Sequence, residues 1–509
     1  MANNPEHHAL GLLPRTIARA LSLVAPAAAS RYVTNHYRLR NYMAASKKGP
    51  NAAWIPTTQT ADAILRTDRA TIVARARDLV RNSAHIAGAI NKLVHNILYT
   101  GIHPQAQFTT PDGQTNSALA DTLEAHWESW ADAVDWYSIQ SLILRHELID
   151  GECLILWSVN NDLRKQGICP LWPEPLECDH LDDTHDTQTI STKNTPSGNR
   201  VRGGIEYDSY NRPIAYYLRR EHPGAAASLS MDSQRIPAER ITHIFERTRA
   251  TQSRGVSRLA PVIMEMRDFA EYQSSERIAA RLAAAFGIFV ESQYPEHLMM
   301  NPLADPAQAE AVNSAIPKYL ESGRIDVLPP GMKISVAENK RPGSNYADFS
   351  RTSLRGASAG TGLSYETFSN DYSEATYSSA RAATLEERRS YRTIQAHLNR
   401  SLNTPTWKRW CTLLNASGIM GLASPPPVIW QNPGWPWVDP IKDAKAAELE
   451  LALGITTRRK LAAERGEDWD EVVQELAAEQ TKMESLGLTL DPSDPEDPFD
   501  TDPQEDTQP

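Results

Sequence analysis

Cysteine is scarce in this chain: its 509 residues include four (Cys153, Cys169, Cys178 and Cys411), with no paired spacing. That excludes a disulfide framework and a cysteine-based zinc site, and reads as a reduced, cytosolic protein with four buried thiols. No apolar run approaches the length of a membrane-spanning helix. Leu21–Ala29 has the short apolar stretch and small residues of a signal peptide. Arg15 and Arg19 crowd it, however, and no basic cluster precedes it, so a surface helix or arm is the better reading. No GxxxxGK[ST] phosphate loop is present, so any ATP-driven step belongs to another protein. No GxSxG elbow is present either. A basic surplus is also missing, since 63 acidic residues outnumber 52 basic ones, for a net charge of −11. A tight, stationary grip on phosphates is therefore disfavoured, whereas passing contact is compatible, because like charge keeps a polyanion from sticking.

What is present is the balance of a folded protein, with 41% hydrophobic and 23% charged residues. The length implies roughly two to four domains or subdomains. Residues 1–56 are basic and alanine-rich and read as an N-terminal arm. From Ala61 to Tyr99 apolar residues recur every three or four positions (Ile64, Ile72, Leu79; then Ile86, Ile90, Leu93, Ile97), which predicts helix until Gly101. Residues 102–245 read as strands and turns around one helix, Ser117 to Trp130. Cys153 to Val159 suits a buried strand, 204–218 a hairpin, and 179–200 a polar loop.

Leu259, Ile263, Met266 and Ala270 open a long helix that Gly287 ends. A small mixed unit follows over 288–338, with strands at 288–292, 324–328 and 332–337 and a helix at 305–320. A shorter helix over about 345–357 leads through the small residues Gly356 to Gly360 into a loop, 361–373. Another long helix runs to about Asn403, where Thr404-Pro405 is expected to cap and restart it. Six prolines and three tryptophans make 425–440 a rigid crossing segment, before a helical stretch from Lys442 to Ser485. Residues 491–509 carry eight acids, five prolines and no Lys or Arg, the composition of a disordered tail.

Enzyme chemistry finds little support. His146-Glu147 opens like a zinc-protease helix, but Asp150 stands where the second His is needed. His180, Asp182, Asp183, His185 and Asp186 have metal-friendly side chains in a polar loop, which fits a solvated turn better than a metal-dependent hydrolase.

Several stretches, in order, carry a resemblance: Arg75-Ala-Arg-Asp-Leu-Val-Arg-Asn82, Gly151-Glu152, Gly204-Ile-Glu-Tyr-Asp208, Arg212-Pro-Ile-Ala-Tyr216, Ile236 to His243, and Arg254 to Pro261. The most specific is Gly360 to Arg381, and Val438-Asp-Pro440 with Leu453-Gly-Ile-Thr456 adds to it. Over about residues 57–490 the chain resembles the lambda family of phage portal proteins.

That resemblance implies an α+β portal fold with a helical stem, a long wing helix, a β-rich wing, a small α/β clip and a helical crown. The corresponding segments are 57–255 for the wing and 256–287 for the first stem helix. The clip is 288–338, the second stem helix 339–360 and the tunnel loop 361–373. The long wing helix and crossing segment are 374–440, the crown 441–490 and the tail 491–509. It implies a homo-oligomeric ring of about twelve subunits at one capsid vertex. Double-stranded DNA would pass through it. The terminase large subunit, the major capsid protein or scaffold and head–tail connector proteins would be partners, without membrane, cofactor, metal or catalytic residue. Tyr365, Glu366, Phe368, Asp371, Tyr372 and Glu374 would line the channel, the acids repelling phosphate and the aromatics stiffening the loop. The plainer alternative is an acidic solvated loop whose aromatics are anchored in the core. Asp348, Arg351 and Arg355 share one helical face. They would face the channel or, better, bridge to Glu265, Asp268 and Glu271 of a neighbouring stem helix. Other readings are the hydrolase above and a virion structural protein without a channel.

Overall fold

The computed structural model describes Pro56 and residues 58–108, 117–186, 199–225, 232–285, 289–292, 332–335 and 346–487. Residues 61–509 form one unit. The arm, the tail and, within the clip, the expected helix 305–320 and strand 324–328 lie outside the described residues.

The unit is a mixed helix-and-sheet structure. Helix α1 (Ala61–Asn82) and helix α2 (Ala84–Leu98) are divided at Ser83, whose hydroxyl caps the second by accepting from the N–H of Ile86. The apolar stripe read from the sequence is the buried face of α2: Ile86, Ile90, Leu93, Val94 and Ile97. Strand β1 (His103–Ala106) follows, then α3 (Ser117–Val134) and α4 (Trp136–Asp150).

Helix α4 corrects the expectation of strands after Trp130. Its aromatic and β-branched opening (Trp136, Tyr137, Ile139) favours a strand by propensity alone, but tertiary burial overrides that preference. Trp136, Ile143, Leu144 and Leu148 enter the main core. Gln140 is buried as well, exchanging two hydrogen bonds with the backbone of Ile102. Five fully buried tryptophans, Trp127, Trp130, Trp136, Trp407 and Trp410, join α3, α4 and α9 (Thr404–Ala416) in one aromatic cluster.

The strand region holds as expected. Strand β2 (Glu152–Val159) is the centre of a three-stranded antiparallel sheet, between β3 (Leu171–Leu176) and β8 (Ile241–Phe245). Strands β4 (Arg200–Arg202), β5 (Ile205–Tyr207), β6 (Pro213–Arg219) and β7 (Ser233–Pro237) form a four-stranded antiparallel sheet that includes the expected hairpin. The first long helix, α5 (Ile263–Ala285), begins later than the expected 256. Pro261 disfavours helical backbone at the residue before it. Strands β9 (Phe289–Ser292) and β10 (Met332–Ser335), near the two ends of the segment expected to be the clip, pair antiparallel.

Helix α6 (Tyr346–Thr361) runs through the small residues expected to form a turn. The reversal falls at Gly362, with φ +81°. The segment 361–373 is not all loop. It holds a short helix, α7 (Tyr365–Ser369), N-capped by Ser364 and closed by Asn370 in the left-handed region. A capping box, Thr376 with Ser379, then starts α8 (Tyr377–Leu398).

The expected stop at Thr404-Pro405 is also corrected. Helix α8 widens into a π turn, Asn399–Asn403, in which the Thr404 N–H reaches the Asn399 carbonyl, and continues directly into α9. The wider turn absorbs a proline that has no N–H and crowds the preceding turn. Strand β11 (Val428–Gln431) in the crossing segment pairs with β1, and the segment expected to be the crown holds three helices: α10 (Pro440–Ala452), α11 (Arg458–Arg465) and α12 (Trp469–Ser485).

Candidate functional site

Helices α5 and α6 form an antiparallel hairpin, with Gly360 over Val262, Gly356 over Glu265, and Phe349 and Tyr346 against Tyr272. A Cβ at Gly360 would lie 2.3 Å from Val262 Cγ1, and one at Gly356 would lie 2.4 Å from a Glu265 carboxylate oxygen. The small residues therefore set a close approach of the two helices, while the chain reverses at Gly362.

The segment after the hairpin is tethered from several sides. Glu387 of α8, nearly buried, accepts from the Ser364 N–H at 2.6 Å, the Thr367 hydroxyl at 3.2 Å and the Tyr391 hydroxyl at 3.1 Å. Lys92 of α2 donates to the Thr367 carbonyl and to Asn370 Oδ1. Arg258 donates to the Thr361 carbonyl at 3.1 Å. Neither Glu387 nor Lys92 stands out in the sequence, because each acts through a contact hundreds or tens of positions away.

The candidate channel residues divide into three groups. Phe368, only 2% exposed, packs in the core and stacks against His85, so it anchors the segment instead of forming a wall. Tyr365 donates to Asp371 at 2.9 Å, and Asp371 also accepts from the Ser373 N–H and hydroxyl. Those bonds, led by the Ser373 hydroxyl, hold the Asp371 carboxyl below its ordinary range. Glu374 pairs with Arg351 at 2.9 Å and Arg355 at 3.5 Å. Glu366 is half-buried, Tyr372 exposed.

The arginines of α6 thus meet Glu374 of their own chain, not the acids of α5. Arg351 also approaches Asp348 at 3.9 Å, and Arg355 lies over the Tyr365 ring. Glu265 is half-buried beneath α6, whereas Asp268 and Glu271 are exposed. The acidic segment is partly neutralised by cations from α2 and α6, which its local sequence lacks.

A second cluster, unforeseen as a site, locks the hairpin's base to the sheet. Glu152, fully buried, accepts from Arg254 through both carboxylate oxygens (2.5–3.0 Å), from His243 at 3.0 Å and from the Gly255 N–H at 2.8 Å. Burial alone would raise the Glu152 pKa, but the Arg254 charge and the His243 hydrogen bond hold it well below the carboxylate range. A Cβ at Gly255 would lie 2.0 Å from the Gly151 carbonyl oxygen. The dipeptides Gly151-Glu152 and Arg254-Gly255 noted in the sequence are the two halves of this lock. Beside it, His397 of α8 meets Glu147 of α4 at 2.7 Å across a cleft of about 780 Å³.

The polar loop expected to be a solvated turn is instead bonded into the small sheets. Asp182 pairs with Arg219 at 2.7 Å and caps Thr184, His180 meets the Arg219 carbonyl, His185 meets Ser233, and Asp186 accepts from the Gly204 N–H. Among the described residues the group with metal-like convergence is a different one, Glu177, Asp179 and His222. Arg77 already places its guanidinium 2.9 Å from Glu177 and 2.7 Å from Asp179. All four cysteines are buried free thiols, with burial pushing Cys169 and Cys411 up to about 12.

These features define an α+β protein with a close-packed helical hairpin tied to its sheet through a buried charge cluster. The family described as phage portal protein, lambda family, matches residues 47–395, and the chain belongs to that family. It is 26% identical over 478 residues to the probable portal protein of Halomonas phage phiHAP-1, covering 88% of each chain. It is 23% identical over 480 residues to the portal protein of Escherichia phage N15, covering 86% of this chain and 89% of that protein. Against portal protein B of Escherichia phage lambda the identity is 22% over 485 residues, covering 86% and 89% respectively. Among solved structures, the neck of an empty gene transfer agent particle aligns with a TM-score of 0.43 at 11% identity, over 79% of this chain and 94% of that one.

Proposed function

We propose that this chain is the portal subunit of a tailed phage. It assembles in the host cytoplasm into a closed ring at one capsid vertex and passes double-stranded DNA during packaging and ejection. It catalyses no covalent step. The terminase motor docks on the clip segment 288–338, while scaffold or capsid protein and head–tail connector proteins contact other faces of the ring.

The observation that carries this reading is the hairpin of α5 and α6, in a chain of the portal family. Its two helices meet at glycines but leave Met264, Ile278 and Phe349 about half exposed, beside the outward acids Asp268 and Glu271. Such faces suit lateral packing against further copies around a channel. The segment 361–373 would then present Glu366 and Tyr372 to the DNA path, with Phe368 as its anchor. Its acids give no counterion-releasing contacts, so it would act by repulsion and steric gating.

The test is Glu366→Lys, since Asp371 is needed inside the segment. Rings of normal size should form, DNA should be retained longer, and translocation should slow most at low salt, where screening is weak. Normal packaging rates at low salt would move Glu366 off the DNA path, and a chain that stays monomeric at every salt would remove the ring itself.

A further inference from the structure

A cleft of about 340 Å³ lies between α8, the crossing segment and crown helices α10 and α11. Five arginines line it against three carboxylates. Arg381 is spent on Asp443 at 2.6 Å. Arg388 and Arg392 lie over the Trp435 ring at 5.8 and 5.9 Å, and Arg465 lies over Trp437 at 4.1 Å. Among the described residues no carboxylate forms an ion pair with Arg388, Arg392 or Arg465. Arg388 donates to the Pro436 carbonyl at 3.0 Å, and burial lowers its pKa against the pull of the Asp443 charge. The cleft therefore combines three arginines that lack a direct ion pair among the described residues with an indole floor, and it suits a ligand that is both anionic and apolar.

We propose that this cleft binds the chain's own acidic C-terminal segment, residues 488–509, supplied by a subunit of the same assembly. Three observations favour that occupant. The segment has eight acids, no Lys or Arg, a single aromatic (Phe499) and five prolines, so carboxylates can meet the arginines while Phe499 and prolines pack on the indoles. It is close in sequence: α11 forms one wall, and the segment follows the next helix, α12, which is about 25 Å long. Its 22 residues span up to about 70 Å when extended, enough to return to its own cleft or reach a neighbour's. Helix α12 itself carries Asp470, Glu471, Glu475, Glu479 and Glu484 and repels the segment. The third observation is shape, because a narrow concave cleft admits an extended peptide, whereas a rigid DNA duplex is too wide to reach its apolar floor.

The probe is a fluorescent peptide of residues 488–509, titrated into a chain ending at 487 and followed by anisotropy. Saturable binding is expected, weakening as salt rises. Arg388→Glu with Arg392→Glu should weaken it about tenfold or more, Phe499→Ala in the peptide should weaken it several-fold, and the full chain should bind it less because its own segment competes. No binding, or equal binding to the double variant, overturns the proposal. Tighter binding of a short DNA duplex, lost in that variant, makes the cleft a nucleic-acid site instead. If the double variant does not fold, a photo-crosslinker at position 499 of the full chain decides. Links to 435–438 or to α8 support the proposal, and links only elsewhere reject it.

Discussion

Glu152 is the residue on which the junction of sheet and hairpin depends. It satisfies Arg254, His243 and the Gly255 N–H at once, all deep in the protein. Glu152→Gln leaves the Arg254 guanidinium buried without a counter-charge, which costs about 3–5 kcal/mol; thermal or urea unfolding measures it. The pH dependence follows from the depressed pKa of Glu152. Its stabilisation is fully present above the ordinary glutamate value near 4.5 and is lost as pH falls below that toward the folded value. The acid limb of stability should therefore be shallower in the variant; an identical limb would mean that Glu152 does not govern it. His397 works in the opposite sense. The hydrogen bond it donates to Glu147 raises its pKa above 6.5, against the effect of burial. Its stabilisation is present below pH 6.5 and lost as pH rises through the folded value. Melting temperature should thus fall more between about pH 6 and about pH 8.5 in the parent than in His397→Gln.

At the level of elements, the hairpin and helix α2 offer a paired test of glycine. Gly360 faces Val262 with no room for a side chain, whereas a Cβ at Gly88, within α2, meets nothing within 4 Å. Gly360→Val should destabilise by about 1–3 kcal/mol through overpacking and splay α6 from α5. Gly88→Ala should stabilise by about 0.5–1 kcal/mol, because alanine loses less backbone entropy in a helix. Calorimetric melting of the two variants distinguishes these signs, and equal effects would remove the close-packed hairpin. The expectation of strands after Trp130 failed at this same level, because the burial that holds α4 helical comes from α2, α9 and Ile102.

At the level of the whole molecule, helices α10 and α12 are left uncovered in a single chain. Neither α10 nor α12 has a buried residue, and Ile441, Leu449, Leu453, Val473 and Leu476 are between 42% and 64% exposed. Apolar faces of this extent suit contact with further copies. Leu449→Asp with Leu453→Asp should change monomer stability by no more than about 0.5 kcal/mol per site, as expected at exposed positions, while reducing the ring fraction in native mass spectrometry. Undiminished rings would place the subunit contacts elsewhere, with the α5–α6 hairpin as the next candidate.

Local pattern alone carried the helices 61–99, the strand 152–159, the hairpin of β5 and β6 and the long helices after 259, since each is written in nearby periodicity and turn residues. The ordered motifs from Arg75 to Thr456 likewise carried the family. Charge partners were not legible. The acids of 361–374 read as an unneutralised row, but Lys92, Arg351 and Arg355 reach several of these residues or their backbone from other helices. The aromatic expected on a channel wall, Phe368, turned inward against His85. Glu152 and Arg254 stand 102 positions apart and became one buried cluster only when the chain closed on itself. A sequence determines periodicity and composition over a few turns. Which charge meets which, and which ring is buried, depends on long-range packing, whose contacts no local pattern contains.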